Sequence, residues 1–352
     1  MTSSELLCCS FHSLVSNVII DNIKRIFCMN DEKEILDWLR EQFNVEPVQI
    51  IEALKLSPSA QGYIQGALSE ILLIQYLVSK GYEVHRIKEK PAGGFDEKKV
   101  GYKGDFLVKK KDDEKYYVVE CKGLKTNSEF RQGATDENDH QKKVTKDQAF
   151  NTLKKYINID KEKIYKKGFG TYSVTKDMWQ HKHPREQFPP FKWDKETPGP
   201  DNADLSNYFK TPDELRKYID SADESSLYET AFRSKNALYK VLQTHEPSDR
   251  TDPETGIHQA APLVSDFSMM AVDLFQRTGE HEFVFMNPDK ISHSPSSPNH
   301  LYQNYIIDVL IPGVKDNLDI KHPWYKDIDD CIAKTSPKTV DYDASQIDYR
   351  EA

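Results

Sequence analysis

Three side chains in this 352-residue chain combine type and spacing in a way that can do chemistry: Asp105, Glu120 and Lys122. Asp105 opens the apolar run Phe106-Leu107-Val108, and Glu120-Cys121-Lys122 closes the run Tyr116-Tyr117-Val118-Val119. The polar stretch 109–115 between them predicts a β-hairpin. A hairpin centred on Asp112-Asp113 sets Asp105 directly opposite Glu120. Directly opposed residues share a face, with Cβ atoms about 5 Å apart. Glu120 and Lys122 are two apart and share that face too. A slip of one residue would carry Asp105 to the other side.

Two carboxylates this close repel, and a divalent cation between them keeps both ionised. Hard oxygen ligands with positions left for water and phosphate suit Mg²⁺, with the backbone carbonyl of Cys121 placed as a further ligand. Such an ion stabilises charge on a phosphate and acidifies a bound water. Lys122 would orient that water or assist its deprotonation. Other acid-x-Lys triplets, such as Asp96-Glu97-Lys98 and Asp113-Glu114-Lys115, follow no apolar strand. The alternative for the trio is a solvated hairpin end with ordinary ion pairs.

The elements around the hairpin read as follows. Residues 1–56 carry helical patterns, with Asn30 as an N-cap and Pro47 at an early helical position. A helix over 60–80 ends at Gly81 and is apolar nearly all round beyond Glu70, which predicts burial. A strand over 82–87 precedes the hairpin, and an amphipathic helix over 145–157 follows it. Residues 169–174 read as a strand. Helices are expected at 212–220, 224–244 and 262–277, with Met269 and Met270 in the core. Residues 282–286 and 305–311 read as a strand pair joined through the Ser/Pro loop 292–299. The tail beyond 336 is polar and is expected to be loosely held.

Net charge is -9, from 48 Lys+Arg against 57 Asp+Glu, which argues against a nucleic-acid binder until its distribution is considered. Residues 98–167 hold 19 Lys+Arg and 12 Asp+Glu, a balance of +7 that leaves -16 for the rest. Lys125, Lys142, Lys143 and Lys146 lie in that basic stretch, where a phosphate would need cations to dock. The alternative for them is a solvated helix face. No stretch approaches the length of a membrane span. Five cysteines without paired CxxC spacing, and an N-terminus without a basic leader, point to reduced thiols in a cytoplasm and to no membrane partner. His181-x-His183 has no further metal ligands nearby, and His293, Asn299 and His300 lack the strand–helix context of an HNH site.

Gly104-Asp105 followed by Glu120-Cys121-Lys122 resembles the PD-(D/E)XK, or restriction-endonuclease-like, nuclease superfamily. The match covers residues 60–175, near a third of the chain. The resemblance implies an α/β fold: a central mixed β-sheet flanked by helices, with an added helical and loop-rich recognition region. It also implies that Asp105 and Glu120 bind Mg²⁺, that Lys122 serves the attacking water, and that Glu70 on the preceding helix assists the metal. Gly104 stands where the motif name has Pro. Gln148 resembles the Gln of recombination-type relatives, but Thr152 stands where they place Tyr, so that branch is not assigned.

The expected organisation is an N-terminal helical segment (1–59), a nuclease core (60–175), a recognition and dimerisation region (176–335) and a polar tail (336–352). No GxxxxGK[ST] motif is present, so the expected activity is that of a self-contained type II restriction endonuclease on double-stranded DNA. Such an enzyme would act as a homodimer, with a cognate DNA methyltransferase as genetic partner. The polar loops 124–143, 180–211 and 292–299 are candidates for reading base edges. A DNA-repair or structure-selective nuclease, and a catalytically silent DNA-binding module, are the alternatives.

Overall fold

The computed structural model describes residues 32–88, 101–125, 144–196, 198–200, 203–227, 237–245 and 248–349. Helices α1 (Glu32–Phe43), α2 (Pro47–Leu56) and α3 (Pro58–Ser79) lead to strands β1 (Tyr82–Arg86), β2 (Phe106–Lys110) and β3 (Tyr117–Gly123). Then come α4 (Lys146–Leu153), α5 (Lys161–Lys182), α6 (Pro212–Ser221), β4 (Lys240–Gln243), β5 (Asp249–Thr251) and β6 (His258–Ala260). The chain continues through β7 (Met269–Asp273), α7 (Phe275–Thr278), β8 (Phe283–Met286), β9 (Ile306–Leu310), β10 (Trp324–Tyr325) and α8 (Ile328–Thr335).

A mixed six-stranded sheet in the order β1-β2-β3-β7-β8-β10 organises these elements. β1, β2 and β3 form an antiparallel meander, and β3 then pairs in parallel with β7. A parallel neighbour needs a long crossover, which residues 124–268 supply with helices α4 to α6. Half of the sheet therefore comes from beyond residue 175. The fold is α/β with a mixed central sheet flanked by helices, as the sequence led us to expect.

Alternation along β3 separates two layers. Val119 and Cys121 pack with Leu73 and Leu77 of α3 and with Ile328 and Cys331 of α8. Val118 and Leu124 face the other way, into a core with Leu242, Leu301, Tyr305 and Trp324. The antiparallel β4–β9 ribbon covers that second face. It sends Leu242 and Leu310 toward the sheet and Val241 and Val309 toward Leu153 of α4 and Leu215 of α6.

Several expectations give way here. α3 is capped at Ser57 and stopped at Gly81, whose φ is 81°. Only one side of it lies on the sheet, so Ile64, Leu68, Ile71 and Val78 are exposed. Residues 169–174 belong to α5, because their alternation is a fragment of the longer repeat that buries Gly168, Tyr172 and Trp179. Of 224–244, a short 3-10 turn (Glu224–Leu227) and β4 form within the described residues. The 262–277 segment holds β7, buried at all five positions. A strand covered on both faces loses the period-two pattern and reads like a helix. Met269 and Met270 are core, as expected. β8 and β9 are strands but not partners: β8 pairs with β7 and β10, and β9 with β4. The tail is pinned, since Val340 bridges Tyr116 and the fully buried Ile347 bridges Ile87. Single apolar residues in a polar run carry these contacts. The 292–299 loop is largely interior, with Ser292, His293, Ser294 and Ser297 buried, so it is not a free base-reading loop. Among the described residues no helix is long and apolar enough to cross a membrane.

Candidate active site

The hairpin forms in the expected register: Phe106 faces Val119, Leu107 faces Val118 and Val108 faces Tyr117. Asp105 continues that register. Its N–H donates to Val119 O (2.9 Å) and its carbonyl accepts from Ile87 N (2.8 Å), so its backbone is fixed between β1 and β3. Gly104 makes this approach possible. A Cβ there would lie 2.6 Å from Val118 Cγ1 and 2.9 Å from Val119 O. The glycine at this position thus has a steric reason. The Asp105 carboxylate turns onto β3, where Oδ2 accepts from Cys121 N (2.7 Å).

Glu120 and Lys122 project from the face of β3 that carries Val118, and they form an ion pair with each other. Their side chains are 13% and 28% exposed. Burial pushes the Glu120 carboxyl up to about 7; Lys122 pulls it down, and the nearby charges of Asp105 and Asp266 raise it further. Three acids therefore share a region in which one lysine reaches Glu120. Asp266 is buried and held by Arg250 Nε (3.1 Å) and Leu263 N (2.9 Å). Between Glu120 and Lys122, the Cys121 thiol is turned into the α3 layer. Burial first, then the carboxylates of Asp105 and Glu70, raise its pKa well above the ordinary value. A thiol held protonated this way is not a nucleophile.

No family model, curated protein or solved structure matches the chain. The donors of the site must speak for themselves. Among the described residues no group of three or more His, Cys, Asp or Glu side chains stands together as a metal cage. The Asp105–Glu120 arrangement is a different donor set: two carboxylates and the Cys121 carbonyl. Hard oxygens alone and a local excess of negative charge fit Mg²⁺ and do not fit a softer ion.

The other expected residues are spread around this centre. Glu70 lies on α3, across the sheet from Glu120, and its Oε2 accepts from Arg86 at 2.9 Å. The Cys121 thiol feels both Glu70 and Asp105, so these two acids flank one strand. Lys125 lies just past β3, with its N–H on Gln243 O (2.6 Å) and its carbonyl accepting from Arg277. Lys146 gives its ammonium to the Asp220 carbonyl (2.6 Å) at the end of α6. Lys142 and Lys143 lie outside the described residues. His183 stacks on Trp179 at 4.5 Å, and both ring nitrogens of His293 sit against backbone carbonyls. Both histidines are thus engaged structurally.

Sequence reasoning missed Asp266, Arg277 and Asp273. Arg277 is fully buried and reaches the carbonyls of Val241, Gln276 and Lys125. Burial lowers its pKa to about 9, which leaves it charged at neutral pH. Asp273 is buried and accepts from Ser69 Oγ (2.6 Å), Phe275 N (2.9 Å) and His281 Nδ1 (2.7 Å), which ties α3 to the sheet beside Glu70. Asp266, Asp273 and Arg277 all fell inside or at the edge of a predicted helix over 262–277. Read as helix positions, they had no reason to approach β3.

Proposed function

We propose that the chain is a Mg²⁺-dependent endodeoxyribonuclease that hydrolyses phosphodiester bonds in double-stranded DNA, working as a site-specific type II restriction enzyme. One observation carries the reading. Asp105, Glu120 and Lys122 meet at one hairpin end in the expected register, with Glu120 largely buried beside two further acids, Asp105 and Asp266.

Asp105 and Glu120, with the Cys121 carbonyl, are the groups that would hold the ion. When bound, Mg²⁺ supplies charge stabilisation at the phosphate and a more acidic water. The residues of the chain do the rest. The Cys121 N–H and the close approach at Gly104 fix the direction of the Asp105 carboxylate. Glu120, once its charge is met, no longer needs Lys122 as its counter-ion. The Lys122 ammonium, two residues along the same face, then orients the attacking water and takes part in its deprotonation. Glu70, engaged by Arg86 on the other face, is assigned no step.

Incubating the purified chain with plasmid DNA and Mg²⁺, followed by sequencing of the ends, tests this. Discrete fragments with a shared end sequence are expected. Fragments without a shared sequence, or cutting confined to branched DNA, would move the assignment to a repair-type nuclease. Absence of any Mg²⁺-dependent cutting, or normal rates in Asp105→Ala, would defeat it.

A further inference from the structure

α5 is a long helix on a narrow footing. Its 22 residues extend about 33 Å, yet only Gly168, Tyr172 and Trp179 are buried. The footing is aromatic. Tyr172 meets Phe191 (5.2 Å), Phe191 meets Trp193 (5.3 Å), and Trp193 meets Tyr302 (6.1 Å). Tyr302 packs on the core that covers the sheet face of Glu120 and Lys122. Gly168 lets the helix press onto Trp193, since a Cβ there would lie 2.3 Å from the indole ring. α5 is thereby held on the same side of the sheet as the candidate site.

The side of α5 away from this footing carries Lys163, Lys166, Lys167, Gly170, Val174 and His181, with one acid, Asp177, toward its C-terminal end, all exposed. Among the described residues Lys161 pairs with Glu196 (3.9 Å) and Lys166 with Glu162 (2.5 Å), while Lys163 and Lys167 have no carboxylate partner. Lys161 and Lys163, in the first turn, work against the helix that bears them. The start of a helix favours acids, and a cation there costs about 0.3–1 kcal/mol. α6 and α8 follow that rule, with Asp213 and Glu214, and Asp329 and Asp330, in their first turns. α5 has Asp160 at its N-cap and Glu162 in its first turn, but sets four lysines among residues 161–167. Neither helix formation nor an ion pair among the described residues calls for Lys163 and Lys167. In a chain of net charge -9, a concentrated positive face also marks the one kind of surface that an anionic polymer would choose.

We infer that the exposed face of α5 is a docking surface for duplex DNA, with Lys163 and Lys167 on phosphates. The open position at Gly170, where a Cβ would touch nothing within 4 Å, leaves room for the sugar-phosphate backbone to come close. The choice of partner rests on the reading of the Asp105–Glu120–Lys122 site as one that cuts DNA.

The test uses the full chain and a fluorescent duplex of about three helical turns without Mg²⁺. Lys163→Glu/Lys167→Glu should weaken binding at least about 30-fold near 100 mM salt and reduce the salt slope by about two. Thermal unfolding of that variant should be unchanged or raised, because Lys163, in the first turn, is replaced by an acid. Lys163→Gln/Lys167→Gln gives a milder loss in the same direction and serves if the reversal fails to fold. Lys55→Glu/Lys217→Glu makes the same change in net charge elsewhere and should stay within about threefold of wild type. Equal binding by the α5 and control variants overturns the docking face; if the wild type still cuts plasmid, the nuclease reading survives alone. Binding that depends on α5 in a protein that never cuts DNA upholds the face and overturns the nuclease reading. Equal affinity for polyglutamate and for the duplex overturns DNA as the occupant in favour of an acidic protein.

Discussion

The Asp308–Lys315 and Glu120–Lys122 pairs of this fold differ in what surrounds them. Asp308 on β9 and Lys315, across a tight turn, form an ion pair with both side chains 8% exposed. Burial lifts the Asp308 carboxyl, and its neighbours offset that rise: Lys315, the N–H of Val309 (2.8 Å) and the N–H of Asp319 (3.4 Å). Lys315 is also set over the Tyr208 ring at 5.2 Å. Among the described residues Glu120 at the hairpin end has Lys122 on its side, with Asp105 and Asp266 against it. A pair whose neighbours complete its charge balance is structure. A pair whose neighbours worsen it is the one to which the proposed cation site is assigned, and this is the physical distinction behind proposing chemistry for one and none for the other.

The largest expected effect tests that distinction directly. Asp105→Ala or Glu120→Ala should lower Mg²⁺-dependent plasmid cleavage by at least about 10³-fold, equivalent to about 4 kcal/mol of transition-state stabilisation. Asp308→Asn, assayed per folded molecule, should remain within a few-fold of wild type. Comparable losses from both pairs would erase the contrast.

Stability should rank the pairs the other way. Asp308→Ala leaves the Lys315 ammonium buried without its carboxylate, and breaking such a pair costs about 3–5 kcal/mol. Urea unfolding at neutral pH would measure it; a loss below about 1 kcal/mol would place Lys315 in contact with solvent and remove the basis for calling the pair structural.

Glu120 should show the opposite sign. Its carboxyl rises from 4.5 to about 7 on folding, so the folded state holds the proton more tightly than the unfolded state. The stability this contributes is complete below pH 4.5 and is lost as pH rises through about 7. The loss amounts to about 3 kcal/mol if the whole shift is expressed. Glu120→Gln removes the titration. In EDTA the variant should therefore gain on wild type between pH 5 and pH 8, and the gain should shrink when Mg²⁺ is added to the wild type. A pH-independent difference between the two proteins would show that Glu120 is not the titrating group.

How much of this was legible in the residues depends on where the partners lie in the chain. The β2–β3 register followed from the apolar runs and a turn centred on Asp112-Asp113, all local information, and it placed Asp105 against the Glu120 end of β3. The parallel partner β7 was not legible. Met269–Val272 is covered on both faces, so its residues carry no alternation, and its pairing with β3 spans 145 or so intervening positions that no spacing rule reaches. Asp266, which raises Glu120, was lost with it. The polar tail was misread for a related reason: Val340 and Ile347 bind one at a time, without a repeat. The lysines of α5 were visible as residues, but a strand assigned to 169–174 cut the helix in two and hid their common face.

Gly104→Ala gives the smallest and most local test. The added methyl would meet Val118 Cγ1 at 2.6 Å and Val119 O at 2.9 Å. The second contact is backbone, so side-chain rotation cannot relieve it, and the segment before β2 must move away from β3. Crowding of this kind costs about 1–3 kcal/mol. The shift acts on Asp105 first, because its N–H bond to Val119 O and the Oδ2 contact with Cys121 N both depend on that approach. Cleavage should fall about 10- to 100-fold from misplacement of one carboxylate, with duplex binding intact. The Asp308–Lys315 pair, closed within its own turn by the Lys315 N–H on Ile311 O (2.7 Å), has no such dependence on a distant glycine. If Gly104→Ala destabilises the fold but cuts at the wild-type rate, the position of Asp105 is not critical, and the cation must be held by Glu120 with other groups.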